Sequence, residues 1–235
     1  MSGPRLSIVV PAHNSARTLG RCLDAIRRTS VPCQLIVVDD GSSDASGRLA
    51  TEHGALVVRH ERAAGPARAR NAGIARSDAP IILFVDADVA IADDAVNRVV
   101  DTFERDPSLG ALFGSYDDDP DARTLLSDYR NLLHHYVHQQ ARPEAKTFWA
   151  GLGAARRDVL TAQGGFDERY ARPSIEDIEL GSRLAAAGCR IRIDRDLQGT
   201  HLKQWTFSSM LRADILDRAR PWTQLMLRRA RWPTT

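Results

Sequence analysis

Ile81-Ile82-Leu83-Phe84-Val85-Asp86-Ala87-Asp88 is a short apolar run that ends at once in an acidic triplet. Such a run fits a strand buried on both faces, the kind found in parallel sheets with helices above and below. The acids then fall at the strand's carboxyl end, where open α/β sheets bind their ligands.

The same pattern recurs upstream. Leu6–Val10 is an apolar run closed by Pro11, Leu35–Val38 is closed by Asp39-Asp40-Gly41-Ser42, and Leu56–Val58 is a third. Helices read between them. Leu19, Cys22, Leu23 and Ile26 form a stripe at helical spacing, with Asn14 or Ser15 as its cap. Asp44 caps a short second helix, and Pro66–Ala75 forms a third. Asp93 or Asp94 opens a fourth that runs to about Arg105. Strands alternating with helices predict a Rossmann-like, mostly parallel sheet flanked by helices. With strand 1 between strands 2 and 4, Pro11, Asp39 and Asp86 lie side by side.

The second half is less regular. Leu109–Gly114 reads as a strand, Arg123–Gln140 as an amphipathic helix, and Phe148–Ala154 as extended or loop. Ser174–Ala187 reads as a helix stopped by Gly188, and Arg190–Ile193 as a strand. Residues 207–231 read as a basic, apolar helix interrupted at Pro221. The expected division is one α/β domain over residues 1–206, with a nucleotide-binding half (about 1–115), an acceptor half (about 116–206) and a C-terminal helical extension (207–235).

Composition narrows the class. A chain of 235 residues can bury one sizeable core. A net charge of +2 gives no reason to expect nucleic acid. Cys22, Cys33 and Cys189 are widely spaced and odd in number, which argues against disulfides or a zinc cluster and for a reducing cytoplasm. The first residues, MSGPRLSIVVPAHN, do not read as a signal peptide, and no run approaches a membrane span.

Asp86 and Asp88 can point into one cleft, where oxygen ligands suit Mg²⁺ or Mn²⁺ and the ion can bridge a diphosphate. The alternative is a plain turn. Asp39-Asp40 also ends a strand, and carboxylates gathered at one edge need a cation or donors to compensate them. Either aspartate can instead accept the imide N–H of uracil. In Gly65-Pro66-Ala67-Arg68-Ala69-Arg70-Asn71-Ala72-Gly73, Arg70 can reach a base or phosphate or simply face solvent, while Asn71 and Gly73 serve close packing.

SIVVPAHN, LIVVDDGSSD, GPARARNAG and LFVDAD, in this order, resemble the nucleotide-binding half of the family 2 inverting glycosyltransferases of GT-A fold. The resemblance is strong over residues 6–90. It resumes at Phe148–Leu152, Gly164-Gly165-Phe166-Asp167-Glu168 and Glu176-Asp177. It implies a nucleotide site of Pro11, His13, Asn14, Asp39 or Asp40, and Arg70, with Asp86 at the ribose or the metal and Asp88 at the metal or diphosphate. His13 departs from the aromatic, often tyrosine, that commonly precedes Asn14's counterpart. Asp177 matches the usual catalytic base, with Glu176 orienting sugar or acceptor. The alternative there is a capping box from Ser174. Trp149 and Gly151 border a sugar or belong to the core. His201 supplies a last metal ligand or is a packed or surface histidine, with Lys203 on the diphosphate. His134 and His138, spaced i, i+4, form an acceptor-side wall or a solvated face in preference to a zinc site.

The expected activity is inverting transfer from a nucleotide-diphosphate sugar, UDP favoured, with Mn²⁺ or Mg²⁺, to an unknown glycan, lipid or small molecule. A polyprenyl-phosphate acceptor and a non-catalytic nucleotide-sugar binder remain as alternatives. A dehydrogenase is excluded by the missing G-x-G-x-x-G after strand 1. Met210, Leu211, Ile215, Leu216, Trp222, Leu225 and Met226 among Arg212, Arg218, Arg220, Arg228 and Arg229 make the C-terminal segment a candidate for peripheral contact with the inner membrane face.

Overall fold

A computed structural model describes residues 4–230 of the chain, with side chains to residue 227. Met1–Gly3, the side chains of Arg228 and Arg229, and Arg231 onward lie outside the described residues. The first half alternates as the sequence predicts: β1 (Leu6–Ala12), α1 (Ala16–Arg27), β2 (Cys33–Asp40), α2 (Ser46–Glu52), β3 (Leu56–His60), α3 (Pro66–Arg76), β4 (Ile81–Val85). Then come β5 (Val89–Ile91), α4 (Ala95–Arg105), β6 (Leu109–Tyr116), α5 (Leu125–Gln140), β7 (Glu144–Ala145), β8 (Leu152–Arg156), α6 (Arg157–Ala162), α7 (Glu176–Ala186) and β9 (Arg190–His201). The chain closes with α8 (Phe207–Arg212), a π-helical stretch (Ala213–Ala219) and α9 (Arg220–Ala230).

One sheet joins both halves, in the order β3-β2-β1-β4-β8-β6-β9-β5, with β7 added on β9. β1 lies between β2 and β4, all parallel, as expected. The second half is mixed: β8 runs antiparallel between β4 and β6, while β6 and β9 are parallel. Side chains alternate across the sheet. Ile8, Val10 and Leu83 face one core with Leu23 of α1 and Val99 of α4. Val9, Ile82 and Phe84 face the other with Ala69 of α3 and Leu184 of α7. Each fully buried Leu, Ile or Phe contributes roughly 1.5–3 kcal/mol relative to exposure. Gly73 lets α3 press onto β1, because a Cβ there would run into Val9.

Several boundaries differ from the sequence reading. The α1 terminus uses neither the Asn14 nor the Ser15 side chain; Ala16 N–H donates to Asp44 at 3.0 Å. Asp44 also accepts from Ser46 N–H at 2.9 Å, so one carboxylate serves two helix starts. α7 begins at Glu176 and not at Ser174, so no capping box forms there. Pro221 does not interrupt the C-terminal helix. It stands second in α9, and the Asp217 carbonyl that its missing N–H would have met accepts from Ser174 Oγ at 2.7 Å.

Candidate active site

The carboxyl ends of β1, β2 and β4 form one edge. Asn14, in the left-handed region at φ 48°, folds the β1–α1 loop onto the β2–α2 loop. Its N–H donates to Ser42 Oγ at 3.0 Å, and its side-chain oxygen accepts from Ser43 N–H at 2.9 Å. His13 follows β1 and is exposed; its Nδ1 donates to the Asp40 carbonyl at 2.8 Å. Asp39 is fully buried and accepts from Ser42 N–H (2.9 Å) and Arg59 Nη1 (2.7 Å). Asp40 accepts from His60 (2.7 Å), Ala64 N–H and Gly65 N–H (2.8 Å). Pro11, half-buried, pairs with Val38 beside them.

Arg70 is buried, not solvent-facing. Its Nη2 donates to Asp86 at 2.8 Å and its Nη1 to Glu176 at 2.8 Å. The guanidinium lies over Phe166 at 5.4 Å, and Nε has no partner among the described residues. Burial opposes the Arg70 charge, but Asp86 and Glu176 outweigh it and hold the group ionised. Burial lifts the Asp86 carboxyl above its usual value, although Arg70 pulls it down. A single side chain thus ties the end of β4 to the start of α7. Asn71 secures the approach: its amide donates to the Phe166 carbonyl and accepts from Phe166 N–H, at 2.9 and 2.8 Å.

Asp177 follows on the first turn of α7. Its carboxylate accepts from Ala150 N–H at 3.1 Å and Ile178 N–H at 2.8 Å. Burial and the adjacent Glu176 push it up to about 7, well above an ordinary aspartate. Gly151 is on the same segment as Ala150, and a Cβ on it would meet the Trp149 indole at 2.5 Å. Its carbonyl accepts from Asp86 N–H at 3.0 Å.

Asp88 is paired with the C-terminal end of β9 by register: Val89 opposes His201, and Leu202 N–H donates to the Asp88 carbonyl at 2.8 Å. His201 Nε2 stands 3.7 Å from Asp88 Oδ2. That is too long for a hydrogen bond, yet two donors about 2.1 Å from a shared ion lie at most about 4.2 Å apart. Burial lifts Asp88, but His201 and Lys203 outweigh it and leave its carboxyl lowered, hence ionised. Among the described residues no three His, Cys, Asp or Glu side chains make a ready-made metal cage. The fit is therefore to an ion that takes its remaining ligands from a diphosphate and water. Lys203 places its ammonium 4.2 Å from the Trp205 ring centre.

An aromatic wall backs this pair. Tyr116 stacks on His201 at 4.2 Å with planes 12° apart, and meets Trp149 edge-on at 4.9 Å. His134 sits 4.5 Å from Trp149 and 4.0 Å from His138. Burial drives His134 well below its ordinary value and His138 to about 4, so both rings are neutral. These histidines face the domain and not solvent. Phe148 is core, edge-on to Phe84 and Phe113. Sequence reasoning missed Tyr116, Arg59 and His60. The available signal was an aromatic just past the end of a predicted strand, and basic residues opposite Asp39 and Asp40 on the next strand.

A nucleotide-type α/β edge joined to carboxylates on β4 and α7 is the layout of the GT-A glycosyltransferases, and the fold is of that class. The profile of Glycosyl transferase family 2 matches residues 7–163, and the chain belongs to that family. It is 28% identical over 207 residues to the probable glycosyltransferase YdaM of Bacillus subtilis, covering 80% of this chain but 48% of that protein. The chain thus spans about half of that relative's length. It is 26% identical over 237 residues to the O-antigen chain rhamnosyltransferase RfbN of Salmonella typhimurium, covering 94% of this chain and 74% of the other. In fold it is similar to the mannosyltransferase PcManGT of Pyrobaculum calidifontis, solved with GDP-Man and Mn²⁺. The TM-score is 0.70 at 22% identity, over 89% of this chain and 60% of that one.

Proposed function

We propose that this chain transfers a sugar from a nucleoside-diphosphate sugar, UDP-linked, to an acceptor hydroxyl with inversion at the anomeric carbon. The observation that carries the reading is the Arg70 bridge, whose buried guanidinium links Asp86 of the nucleotide half to Glu176 beside Asp177. The loop of Pro11, His13 and Asn14, with Asp39 and Asp40, receives the base. Asp40 accepts from three neighbours, so contact with a uracil imide requires it to share an oxygen or Asp39 to serve instead. Asp86 supports the ribose side.

Asp88 and His201 would hold Mn²⁺ or Mg²⁺, and such an ion when bound neutralises the departing diphosphate. Asp177 takes the proton of the acceptor hydroxyl. The acceptor oxygen bonds to the anomeric carbon from one face as the carbon–oxygen bond to the diphosphate breaks on the other. A carboxyl raised to about 7 is matched to that proton transfer near neutrality. An acceptor that is already a phosphate anion needs no such base, so the raised Asp177 favours the hydroxyl. Glu176, fixed by Arg70, orients the sugar; Trp149 and Gly151 border it, and Lys203 turns from Trp205 to the diphosphate.

The test is calorimetry of a nucleotide-sugar panel with Mn²⁺, Mg²⁺ or chelator, repeated on Asp88→Ala and Asp177→Asn. Asp88→Ala is expected to lose metal-dependent affinity. Asp177→Asn is expected to bind donor normally and to lose transfer. Full transfer by Asp177→Asn removes it as base, and failure to bind any nucleoside diphosphate removes the reading.

A further inference from the structure

Helix α5 is amphipathic in the reverse sense. Ser127, Asn131, His134, His135 and His138 recur at helical spacing and turn toward the domain. Ser127 Oγ accepts from Thr124 Oγ1 at 2.8 Å and from Trp205 N–H at 2.9 Å, and Asn131 donates to the Asp117 carbonyl at 2.8 Å. His135 and His138 donate to the carbonyls of Tyr116 (2.8 Å) and Gly114 (2.9 Å). The opposite side carries Leu125, Tyr129, Leu132, Leu133, Tyr136 and Val137, a continuous apolar stripe of which Leu125 is 85% and Tyr136 63% exposed. A surface helix in water normally shows the reverse arrangement, and contiguous exposed apolar patches mark interaction sites.

The C-terminal arm repeats the feature. Phe207, Leu211, Ile215, Leu216, Trp222 and Met226 are exposed along α8, the π-helical stretch and α9. Arg130 of α5 pairs with Asp214 of the arm, and Ser174 at the entrance to α7 donates to Asp217. Arg130 also lies over the Trp205 ring at 5.2 Å, with Trp205 6.4 Å from His201, so the arm adjoins the aromatic wall of the site, and the charge of Arg218 acts on Tyr116 and His134. From Phe207 to Leu227 the exposed charged residues are all arginine: Arg212, Arg218 and Arg220. None has an ion-pair partner among the described residues, whereas Asp214 is half-buried and paired with Arg130, and Asp217 is half-buried. No described helix is long and apolar enough to cross a membrane.

We propose that the outward apolar face of α5 and the C-terminal arm together seat on an anionic lipid surface, so that the acceptor is an amphiphile whose polar head enters the site past Arg218. The acceptor clause rests on the transferase reading above; the seating does not. Apolar side chains enter the boundary between head groups and acyl chains, while arginines at its rim meet lipid phosphates. An isologous pairing of two copies would set one arm's arginines against the other's. Because Ser174 and Arg130 tie the arm to the domain, seating also sets the distance between the lipid surface and Asp177.

The test uses the full chain and vesicles of phosphatidylglycerol mixed with phosphatidylcholine, against phosphatidylcholine alone. The chain is expected to co-sediment with the anionic vesicles at low salt and to be released at high salt. Tryptophan emission should shift to shorter wavelength on binding, and Trp222→Phe should abolish most of that shift. Leu133→Glu/Tyr136→Glu on α5 and Ile215→Glu/Leu216→Glu on the arm should each weaken binding at least about ten-fold. Arg212→Ala and Arg220→Ala should each weaken it about five-fold. These positions are exposed, so circular-dichroism melts should be unchanged. Should a variant unfold, the lipid and salt dependence of the unmodified chain still decides.

Binding that ignores anionic lipid overturns the proposal. So does binding that survives the α5 pair, or a dimer in sedimentation that Tyr136→Glu dissociates. Vesicle binding needs no donor, so a chain that binds vesicles but no nucleotide sugar refutes only the function, and the converse result refutes only the seat.

Discussion

Helices α1 and α5 are both amphipathic, and they turn opposite faces to the protein. α1 buries Leu19, Cys22, Leu23 and Ile26 against the parallel sheet and leaves its polar side in water. α5 buries Ser127 and Asn131, turns three histidines inward, and exposes its leucines, tyrosines and valine. The contrast extends to the halves they belong to. Around α1 the packing is generic: apolar stripes on apolar strands, with the carboxylates of Asp39 and Asp40 satisfied by their own neighbours. Around α5 the interior is polar and aromatic, built from hydrogen bonds to the ends of β6 and rings stacked between Asp88 and Trp149. One half packs apolar stripes on apolar strands, and the other packs polar groups and rings.

The two halves meet at Arg70 and at Asp177, where perturbation should cost most. Asp177→Asn is expected to lower transfer by about 10²–10⁴-fold with donor affinity intact, read by steady-state kinetics and calorimetry. Retained transfer would place the base elsewhere. Arg70→Ala removes one partner from a buried ionic unit and leaves Asp86 and Glu176 facing each other. About 3–5 kcal/mol of stability should be lost in urea unfolding. Arg70→Lys should not restore transfer, because one ammonium cannot reproduce the two-pronged contact.

The next prediction separates α1 from α5 directly. Leu23→Ala should cost about 2–5 kcal/mol, as a cavity in a closed core does. Leu133→Ala, the same chemistry on the exposed side of α5, should stay within about 0.5 kcal/mol in dilute solution. Equal losses would mean that α5 is covered in the free protein.

The last prediction is a pH dependence. A carboxyl raised to about 7 in the folded chain binds its proton more tightly there than in the unfolded chain, where aspartate titrates near 3.9. Its contribution therefore favours folding at low pH and is lost as pH rises from about 4 to about 7. Asp177→Asn should melt higher than the parent at pH 8 and much the same at pH 4. Transfer by the parent has the opposite slope, rising through pH 7 as the base ionises. A flat transfer profile there would break the link between burial and basicity.

Much of the candidate site was legible because it lies where strands end. Asp39, Asp86 and Asp88 follow from apolar runs and the parallel order, and the Glu176-Asp177 pair was identifiable by its resemblance to the family motif. Arg70 was singled out, yet its partners were not: nothing local links residue 70 to residue 176. The Asp88–His201 approach depends on the register of β5 with β9, and β5 is too short to announce itself by periodicity. Tyr116 was missed because β6 runs two residues past Gly114, where the sequence reading ended the strand.

The sequence by itself determined the alternating strands and helices, the strand order at the nucleotide edge, and the residue types available for chemistry, because apolar spacing and punctuation are local signals. Only the tertiary structure decided which charges meet, which face of α5 looks outward, and that Asp177 sits where its proton is held to about 7. Those outcomes depend on burial and on contacts between residues far apart in the chain, and no local pattern carries that information.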